Sequence, residues 1–348
     1  MLKTMKALVY HGLGDIRLED RPLPQLLDER DVIVEVTLST ICTSDLHILH
    51  GTVPRARTDV VLGHEFVGKV QAVGSGIRSL HPGDRVAANC ESFCGDCWFC
   101  RQGYINNCIQ GGWELGCRID GCQAAYVRVP YADMGLTRIP DAVTDRSALF
   151  VGDILSSGYF GAELCNIRPG DSVAVIGAGP VGLCAMECAR LFGAARIIAV
   201  EPDPFRRRVA EQEGLCDAAF SPDDENLEAC ILQLTEGRGA DGVIEAAGSS
   251  TSFELAWRIA RPNAVVALVA MYEQDQCLPL PSMYGKNLIF KTGGVDGCDC
   301  EETLKLIAEG KINTEPLITH TYPLSKIEEA YDLFENKRDG VIKVAVEC

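Results

Sequence analysis

Ser172–Glu201, the stretch that decides the fold, has the sequence S-V-A-V-I-G-A-G-P-V-G-L-C-A-M-E-C-A-R-L-F-G-A-A-R-I-I-A-V-E. Its first five residues form a short apolar, β-branched run, which predicts a buried strand. A G-x-G-x-x-G pattern follows, and the apolar run Val181–Phe192 then predicts a helix. A second strand, Arg196–Val200, ends at Glu201. Strand, glycines, helix, strand and acid in this order predict a dinucleotide-binding βαβ unit.

Each residue of the glycine-rich turn has its own physical role. Gly177 permits the tight turn, Gly179 lets backbone N–H groups approach a pyrophosphate, and Gly182 lets the helix pack close to the strand. Pro180 suits the first helical turn, and with Val181 it forms the helix N-terminus, which favours an anion. We therefore predict that these five residues bind a dinucleotide. The alternative is a βαβ crossover that binds nothing, because a G-x-G-x-x-G pattern alone is a weak signal.

The acid at the end of the second strand bears on the choice of cofactor. Glu201 follows the glycines by about 20 residues, where a carboxylate binds the ribose 2′- and 3′-hydroxyls. The same charge repels a 2′-phosphate, so NAD(H) is predicted in preference to NADP(H). Arg206 is a candidate to line the adenosine ribose, although the run Arg206–Arg208 also fits a solvated helix face.

Size and composition limit the class of protein. The 348 residues are 47% hydrophobic and 23% charged, which indicates a soluble globular protein of two domains or one large one. No stretch reaches about 18 consecutive apolar residues, so no membrane span is predicted. The net charge of −17 argues against nucleic acid and anionic membranes as partners. The first residues lack the pattern of a signal peptide, so a cytoplasmic protein is expected.

The 17 cysteines indicate thiols and metal ligands rather than disulfides in such a protein. Four of them have C-x2-C-x2-C-x7-C spacing in one loop, which fits a closed, tetrahedral structural zinc site. An iron–sulfur cluster is the alternative. Cys90 stands just outside the pattern and is predicted to be structural. The four candidate ligands are Cys94, Cys97, Cys100 and Cys108.

A second set of candidate metal ligands is scattered along the chain. Cys42 stands in I-C-T-S-D-L-H and is followed about 20 residues later by the pair His64 and Glu65. Two ligands do not by themselves make a site. Asp153 lies in an apolar stretch, where a carboxylate must be paired, hydrogen-bonded or metal-bound. A helix N-cap is the equally weighted alternative for Asp153.

The rest of the chain shows two secondary-structure patterns. The N-terminal part is rich in strands, whereas after Glu201 strands alternate with helices, which predicts a doubly wound parallel sheet. The N-terminal strands are predicted at Met5–Val9, Asp31–Leu38 and Val67–Val73. The later strands are predicted at Gly242–Glu245, Ala264–Met271, Leu288–Thr292 and Val341–Val346, and the later helices at Pro204–Glu213, Cys300–Glu309 and Leu324–Asn336.

Together these motifs resemble the zinc-dependent medium-chain dehydrogenase/reductase family over essentially the whole chain. The matching segments are C-T-S-D-L-H, G-H-E, H-P-G-D-R-V, the four-cysteine loop, G-A-G-P-V-G and the acid after the second strand. C-T-S-D-x-H, A-D-M-x-L and L-T-E-G-R-G-A-D resemble bacterial secondary-alcohol dehydrogenases, and G-D-I-L-S-S-G-Y-F-G-A-E resembles the formaldehyde-dehydrogenase-like branch. The chain departs from the first branch in its cysteine loop and in having Glu201 where that branch has a Gly-Ser-Arg type NADP site.

The resemblance implies an α/β protein with two domains. A GroES-like, β-rich catalytic domain would comprise residues 1–155 and 297–348, and a doubly wound Rossmann domain residues 156–296. Cys42, His64 and Asp153 would bind a catalytic zinc, with Glu65 as an additional ligand when no substrate is bound. The four-cysteine loop would bind a second, structural zinc, so two zinc ions per chain are expected.

The resemblance also implies a route for a proton. Ser44 would take the proton of an alcohol substrate and pass it through the nicotinamide ribose to His47. His47 would release it to solvent, for which a group that titrates near neutral pH is suited. From the residues alone, Ser44 would be a turn or capping residue and His47 a surface residue. Asp45 is expected either as the partner of a zinc-binding histidine or as a turn former.

The implied activity is hydride transfer between NAD(H) and an alcohol/carbonyl pair, in particular a secondary alcohol and its ketone, with zinc as a Lewis acid. One alternative is a formaldehyde or aldehyde dehydrogenase, or a dismutase, of the same fold. A second is a dinucleotide-binding relative without catalytic activity. A small-molecule substrate and a homotetramer or homodimer are the expected partners.

Overall fold

The computed structural model describes residues 4–295 and 299–348, which fall into two compact units. The residues within Met1–Ser156 and Asp296–Cys348 form the first unit, and Ser157–Val295 form the second. The domain boundary predicted at residues 296 and 297 lies outside the described residues. Throughout the described ranges, no helix combines the length and the apolar character that crossing a membrane requires.

The N-terminal part of the first unit is mainly β-structure, because β-branched, apolar runs alternate with short turns. Its strands are β1 (Thr4–Gly12), β2 (Asp15–Pro22), β3 (Val32–Thr40), β4 (Val60–Val61), β5 (Phe66–Val73), β6 (Arg85–Ala88), β7 (Tyr126–Val129) and β8 (Leu136–Arg138). Its helices are α1 (Thr43–Leu49), α2 (Trp98–Arg101), α3 (Ala132–Gly135) and α4 (Asp145–Ala148), and α5 (Ile154–Cys165) begins at its end.

The second unit alternates strands and helices. Its strands are β9 (Ser172–Ile176), β10 (Arg196–Val200), β11 (Ala218–Phe220), β12 (Ala240–Glu245), β13 (Ala260–Leu268) and β14 (Ile289–Thr292). Its helices after α5 are α6 (Pro180–Leu191), α7 (Pro204–Gln212), α8 (Leu227–Leu234), α9 (Ser250–Ile259) and α10 (Leu280–Met283).

These strands pair in the order β11-β10-β9-β12-β13-β14, and every pairing is parallel. The chain therefore winds outward from β9 in both directions, and the predicted doubly wound sheet is confirmed. All five residues of β9 are buried, as expected of a central strand. The carboxyl ends of β9 and β10 hold the glycine turn and Glu201, so these residues lie at the edge of the sheet where ligands bind in such folds.

The C-terminal segment returns to the first unit. It forms α11 (Cys300–Ala308), β15 (Ile318–Pro323), α12 (Ile327–Glu335) and β16 (Lys343–Glu347). β16 pairs antiparallel with β3, with Ala345 opposite Thr40, and extends a sheet of order β15-β16-β3-β5-β6-β8. α12 packs its apolar face into the core beneath β1 and α1. Residues about 300 positions apart thereby become neighbours, and this is what completes the site described next.

Candidate functional site

Four predicted metal ligands meet at one point of the first unit. One ligand atom from each of Cys42, His64, Glu65 and Asp153 lies within 4.8 Å of the others. The Sγ atom of Cys42 is 3.5 Å from Asp153 Oδ2, and that oxygen is 3.2 Å from His64 Nε2. Cys42 immediately precedes α1, the pair His64 and Glu65 precedes β5, and Asp153 precedes α5. We call these four residues the buried cluster.

The chemistry of the buried cluster fits a zinc ion. Thiolate, imidazole and carboxylate are the ligands that Zn²⁺ takes in proteins. His64 and Glu65 are 3% and 1% exposed, and Glu65 Oε1 has no hydrogen-bond partner among the described residues. A buried carboxylate oxygen without a partner is costly, and a cation at this point would compensate it. Although Asp153 stands where a helix N-cap would stand, its Oδ2 lies with the other ligand atoms.

Burial and charge shift the pKa values within the buried cluster. Burial raises the pKa of Glu65 to about 7, against the opposing charge of Lys343. Burial also raises the pKa of the Cys42 thiol, and the charge of Asp153 adds to this effect. Burial would raise the pKa of Asp153 as well, but the hydrogen bond and charge of His64 outweigh it, so that this pKa is lowered. A cation here would favour the ionised form of all three acids.

A buried lysine that the sequence analysis did not identify lies beside the buried cluster. Lys343, at the start of β16, is 1% exposed, and its Nζ donates to Glu65 Oε2 and, over 3.0 Å, to the Ile41 carbonyl. The ammonium also lies 5.5 Å from the centroid of the Phe150 ring. The available signal was a lone charge inside the apolar run V-I-K-V-A-V. Its partner could not be inferred, because 278 residues separate Lys343 from Glu65.

Asp45 contacts both the start of α1 and the His64 ring. Its Oδ2 accepts the backbone N–H of Cys42 over 2.9 Å, which fixes the start of α1. Its Oδ1 lies 3.2 Å from His64 Nδ1. Burial would lower the pKa of His64, but the charge of Asp45 and hydrogen bonds from its neighbours raise it well above its ordinary value.

The two residues of the predicted proton route lie on one face of α1, three positions apart. Ser44 lies beside the buried cluster: its Oγ donates to Cys42 Sγ over 3.1 Å and lies 3.3 Å from His64 Nε2. His47 lies one turn further along, where its Nδ1 is 3.3 Å from Thr52 Oγ1. The structure thus brings Ser44 into contact with two of the candidate ligands.

Trp113 flanks the buried cluster. Its ring centroid is 5.4 Å from that of His64, and the two rings meet edge to face. The Arg55 guanidinium lies over the Trp113 ring, 5.4 Å from its centroid. Within the described ranges, the indole Nε1 is buried and has no hydrogen-bond partner. Trp113 therefore supports the His64 ring as well as the apolar core.

The four cysteines of the predicted structural zinc site also come together, and we call the loop of residues 94–108 the cysteine lobe. Their sulfur atoms all lie within 4.8 Å of one another. Cys100 Sγ is 3.4 Å from Cys97 Sγ and 4.0 Å from Cys94 Sγ. Four thiolates around zinc stand about 3.8 Å apart, given Zn–S bonds of about 2.3 Å. The lobe therefore fits a tetrahedral zinc ion.

Backbone hydrogen bonds favour the thiolate of Cys97 in the cysteine lobe, whereas burial raises the pKa of Cys100 to about 12 and also raises that of Cys108. The N–H of Cys94 points at Cys108 Sγ over 3.3 Å, and that of Cys97 at Cys94 Sγ over 3.4 Å. Backbone hydrogen bonds from Cys100 and Ile109 lower the pKa of Cys97 to about 6. Cys90 lies apart from these sulfurs, and burial raises its pKa well above the ordinary value. Every described cysteine is a free thiol.

The glycine turn of the second unit has the geometry that a dinucleotide site needs. Gly177 has φ +96°, a conformation that other residues rarely adopt. A Cβ on Gly182 would stand 1.8 Å from the Gly177 carbonyl oxygen, so only glycine permits α6 to approach β9 this closely. Gly179 is the N-cap of α6 and Pro180 its first residue, with Val181 next. The backbone N–H groups at this helix start are available to an anion.

Glu201 makes hydrogen bonds to the backbone that the sequence analysis did not predict. Its Oε2 accepts the N–H of Ala178, inside the glycine turn, over 2.7 Å, and its Oε1 accepts the N–H of Asp203 over 2.9 Å. The side chain therefore ties the end of β10 to the glycine turn. Arg206 stands beside this turn, with its Nη1 3.7 Å from where a Cβ on Gly179 would lie. Its buried Nε has no partner among the described residues, which fits a site for an anionic or polar ligand.

Comparisons with known protein families agree with this geometry. Residues 28–141 match the family model of the alcohol dehydrogenase GroES-like domain. Residues 180–309 match the family model of the zinc-binding dehydrogenases. The first match includes the segments of Cys42, His64 and the cysteine lobe, and the second begins at the start of α6.

Individual relatives cover almost the whole chain. An alcohol dehydrogenase from Cupriavidus necator is 37% identical over 99% of both chains. An NADP-dependent isopropanol dehydrogenase from Thermoanaerobacter brockii is 32% identical over 98% of this chain and 99% of its own. The solved structure of an alcohol dehydrogenase from Thermus sp. ATN1 superimposes with a TM-score of 0.92, at 36% identity and 99% coverage of both chains.

Proposed function

The chain belongs to the zinc-dependent medium-chain alcohol dehydrogenase family, and on that premise we propose that it transfers hydride between NAD(H) and a secondary alcohol/ketone pair. Membership of this family supports an oxidoreductase that acts on a small molecule and uses zinc and a nicotinamide cofactor. The observation that carries the proposal is the buried cluster, where a thiol, an imidazole and two carboxylates converge within 4.8 Å.

We assign the catalytic zinc to Cys42, His64 and Asp153, with Glu65 as an additional ligand. The Lewis acidity of the bound ion would favour the ionised form of an alcohol hydroxyl and polarise a carbonyl in the reverse direction. Ser44 accepts the hydroxyl proton, and the position of its Oγ, 3.1 Å from Cys42 Sγ and 3.3 Å from His64 Nε2, supports this role. His47 releases that proton to solvent.

We assign a second, structural zinc to the cysteine lobe, so that each chain holds two zinc ions. Four thiolates leave no position open for substrate, which is typical of structural sites. The lobe is rich in turns and has little apolar burial of its own, and metal binding would supply the free energy that orders it.

We assign the nicotinamide dinucleotide to the glycine turn, with NAD(H) preferred to NADP(H). The pyrophosphate would lie at the start of α6, over Gly177, Gly179 and Gly182. The carboxylate of Glu201, at the end of β10, disfavours a 2′-phosphate, whereas Arg206 nearby would attract one. We expect Glu201 to affect the choice of cofactor more than Arg206 does, because both carboxylate oxygens of Glu201 are held in place by backbone N–H groups.

The secondary-alcohol assignment rests on likeness to the isopropanol dehydrogenase together with the sequence motifs of that branch. An aldehyde dehydrogenase or dismutase of the same fold would use the same cluster and would differ in its products, because it would form an acid from an aldehyde. A relative without catalytic activity is disfavoured by the complete set of candidate ligands. We further propose a cytoplasmic homodimer or homotetramer.

Kinetics with matched substrates test the proposal. We expect the purified protein to oxidise a secondary alcohol faster than the primary alcohol of equal carbon number, with kcat/KM about tenfold or more higher for NAD⁺ than for NADP⁺. Glu201→Ala should reduce that ratio toward one. Because the substitution also frees the Ala178 N–H, Glu201→Gln is the matched control: it removes the charge and keeps an acceptor. Acid formation from an aldehyde would favour the rival activity, and equal kcat/KM values for the two cofactors would remove the argument from Glu201.

A further inference from the structure

A line of buried polar side chains runs from α12 to the back of the His64 ring. The Tyr331 hydroxyl donates to Gln123 Oε1 over 2.8 Å, and Gln123 Nε2 donates to Asp45 Oδ2 over 3.2 Å. Asp45 Oδ1 in turn lies 3.2 Å from His64 Nδ1. All four side chains are buried: Tyr331 is 2% exposed, Gln123 and Asp45 are 0% exposed, and His64 is 3% exposed. None of the family motifs includes Gln123 or Tyr331.

The contacts of Gln123 fix the orientation of its amide. Its NH₂ group faces two acceptors, Asp45 Oδ2 at 3.2 Å and the Thr40 carbonyl at 3.4 Å. Its carbonyl oxygen faces the Tyr331 hydroxyl, which donates to it. A flipped amide would place an oxygen against a carboxylate and a carbonyl, neither of which can donate. The Tyr331 hydroxyl supplies the donor that makes the observed orientation fully satisfied.

The two carboxylate oxygens of Asp45 consequently make different contacts. Oδ2 accepts two hydrogen bonds, from the Cys42 N–H over 2.9 Å and from Gln123 Nε2 over 3.2 Å. Oδ1 lies 3.2 Å from His64 Nδ1 as an ion-pair contact, and in the described part of the chain neither atom has a hydrogen-bond partner. An ionised carboxylate only accepts, so Nδ1 carries the hydrogen. When His64 is neutral, as a metal ligand must be, its lone pair is then on Nε2, the atom that lies 3.2 Å from Asp153 Oδ2 in the buried cluster.

We propose that Gln123 and Tyr331 are positioning residues that, through Asp45, hold His64 in the tautomer and orientation that bind zinc. This inference rests on the proposed catalytic zinc. A histidine that binds a metal needs its second ring nitrogen held by an acceptor, and that acceptor must itself be held. Here Gln123 precedes β7 and Tyr331 comes from α12, in the C-terminal segment, so that the segment's return completes the metal site.

The apolar surroundings of Tyr331 indicate that its hydroxyl group has a role beyond packing. The ring belongs to an apolar cluster with Ile48, Leu49 and Val344, where phenylalanine would pack equally well and would bury no polar atom. Burial raises the pKa of the Tyr331 hydroxyl well above its ordinary value, and the charge of Asp45 acts in the same direction. The hydroxyl therefore remains a neutral donor toward Gln123.

The test uses release of zinc from the full-length, zinc-loaded protein into excess chelator, together with the spectrum of the protein after Co²⁺ exchange. We expect Tyr331→Phe and Gln123→Met to speed release from the buried cluster by about 10-fold or more, the range seen when outer partners of metal ligands are removed. Release from the cysteine lobe in the same sample should be unchanged. The Co²⁺ absorption bands should shift in both variants, because the ligand field at His64 changes.

Tyr10→Phe is the matched control, because it removes a hydroxyl from another tyrosine of the same apolar cluster. We expect its release rate and Co²⁺ spectrum to equal those of the parent. If Tyr331→Phe lowers the melting temperature but leaves both readouts at the parent values, the hydroxyl has a structural role only and the proposal is wrong. Neither readout needs turnover, so a parent that holds zinc in the buried cluster but oxidises no alcohol would contradict the proposed function and not this inference.

Discussion

The two candidate metal sites of the first unit are built in opposite ways. The cysteine lobe takes all four ligands from residues 94–108, around one short helix. The buried cluster takes its ligands from three segments, with Cys42 and Asp153 lying 111 positions apart, and its supporting groups from β16 and α12. A local site can be ordered by the metal alone, whereas a dispersed site exists only after the fold has formed. Loss of metal should therefore disorder the lobe but leave the framework of the buried cluster intact.

The largest expected effect is loss of order in the cysteine lobe. Cys97→Ser removes one of four thiolates from a segment whose folding free energy comes mainly from the metal, on the order of 10 kcal/mol for structural zinc sites. We expect one zinc ion fewer per chain and rapid proteolysis confined to the lobe. Hydrogen exchange followed by mass spectrometry measures the loss of protection.

The cysteine just outside the lobe is the control for this prediction. Cys90→Ser changes a buried thiol that belongs to neither group of candidate ligands, so both zinc ions should remain. Protection of the lobe in the Cys97→Ser variant at the parent level would contradict the view that metal orders this segment.

A smaller effect is expected at the lysine that faces the buried cluster. Lys343→Met leaves the buried Glu65 carboxylate without its cation, and breaking a buried ion pair in this way costs about 3–5 kcal/mol of stability. We expect this loss in full after zinc has been removed, and a smaller loss with zinc bound, because the metal compensates the same carboxylate. Urea unfolding of both forms gives the two free energies.

An exposed lysine provides the comparison. Lys326 pairs with Glu329 at the surface, where both side chains are more than half exposed. Lys326→Met should change the free energy of unfolding by less than about 0.5 kcal/mol, with or without zinc. Equal losses for Lys343→Met in the zinc-bound and zinc-free forms would show that the metal and Lys343 do not compensate the same charge.

The sequence predicted the local features of the fold best. The bounds of β9 and β10 agree residue for residue with the prediction, because both strands are buried runs that end at a glycine turn or an acid. β13 was predicted at Ala264–Met271 and is found at Ala260–Leu268, since the strand begins earlier and contains an irregularity between Ala260 and Val265, where Asn263 has φ +60°. α9 was missed, although Ser249 and Ser252 form a capping box at its start.

In the candidate sites too, local features were predicted from the sequence and long-range contacts were not. The cysteine lobe followed from spacing, because neighbours in sequence are neighbours in space. Cys42, His64 and Asp153 were joined only through the family resemblance, because no spacing rule links them. Lys343, Gln123 and Tyr331 were not found, since their contacts depend on β16 pairing with β3 and on α12 packing beneath α1. Such contacts depend on long-range topology, which no local pattern in the chain encodes.

The most direct test of this account is the zinc content per chain of the parent, Asp153→Ala and Cys97→Ser, measured by elemental analysis together with kcat. We predict two zinc ions in the parent and one in each variant, with activity lost in Asp153→Ala, while Cys97→Ser keeps the zinc of the buried cluster. Two zinc ions in Asp153→Ala would show that Asp153 is not an essential ligand. A single zinc ion in the parent, retained by Asp153→Ala and lost in Cys97→Ser, would show that the buried cluster holds no tight metal and would contradict the proposed mechanism.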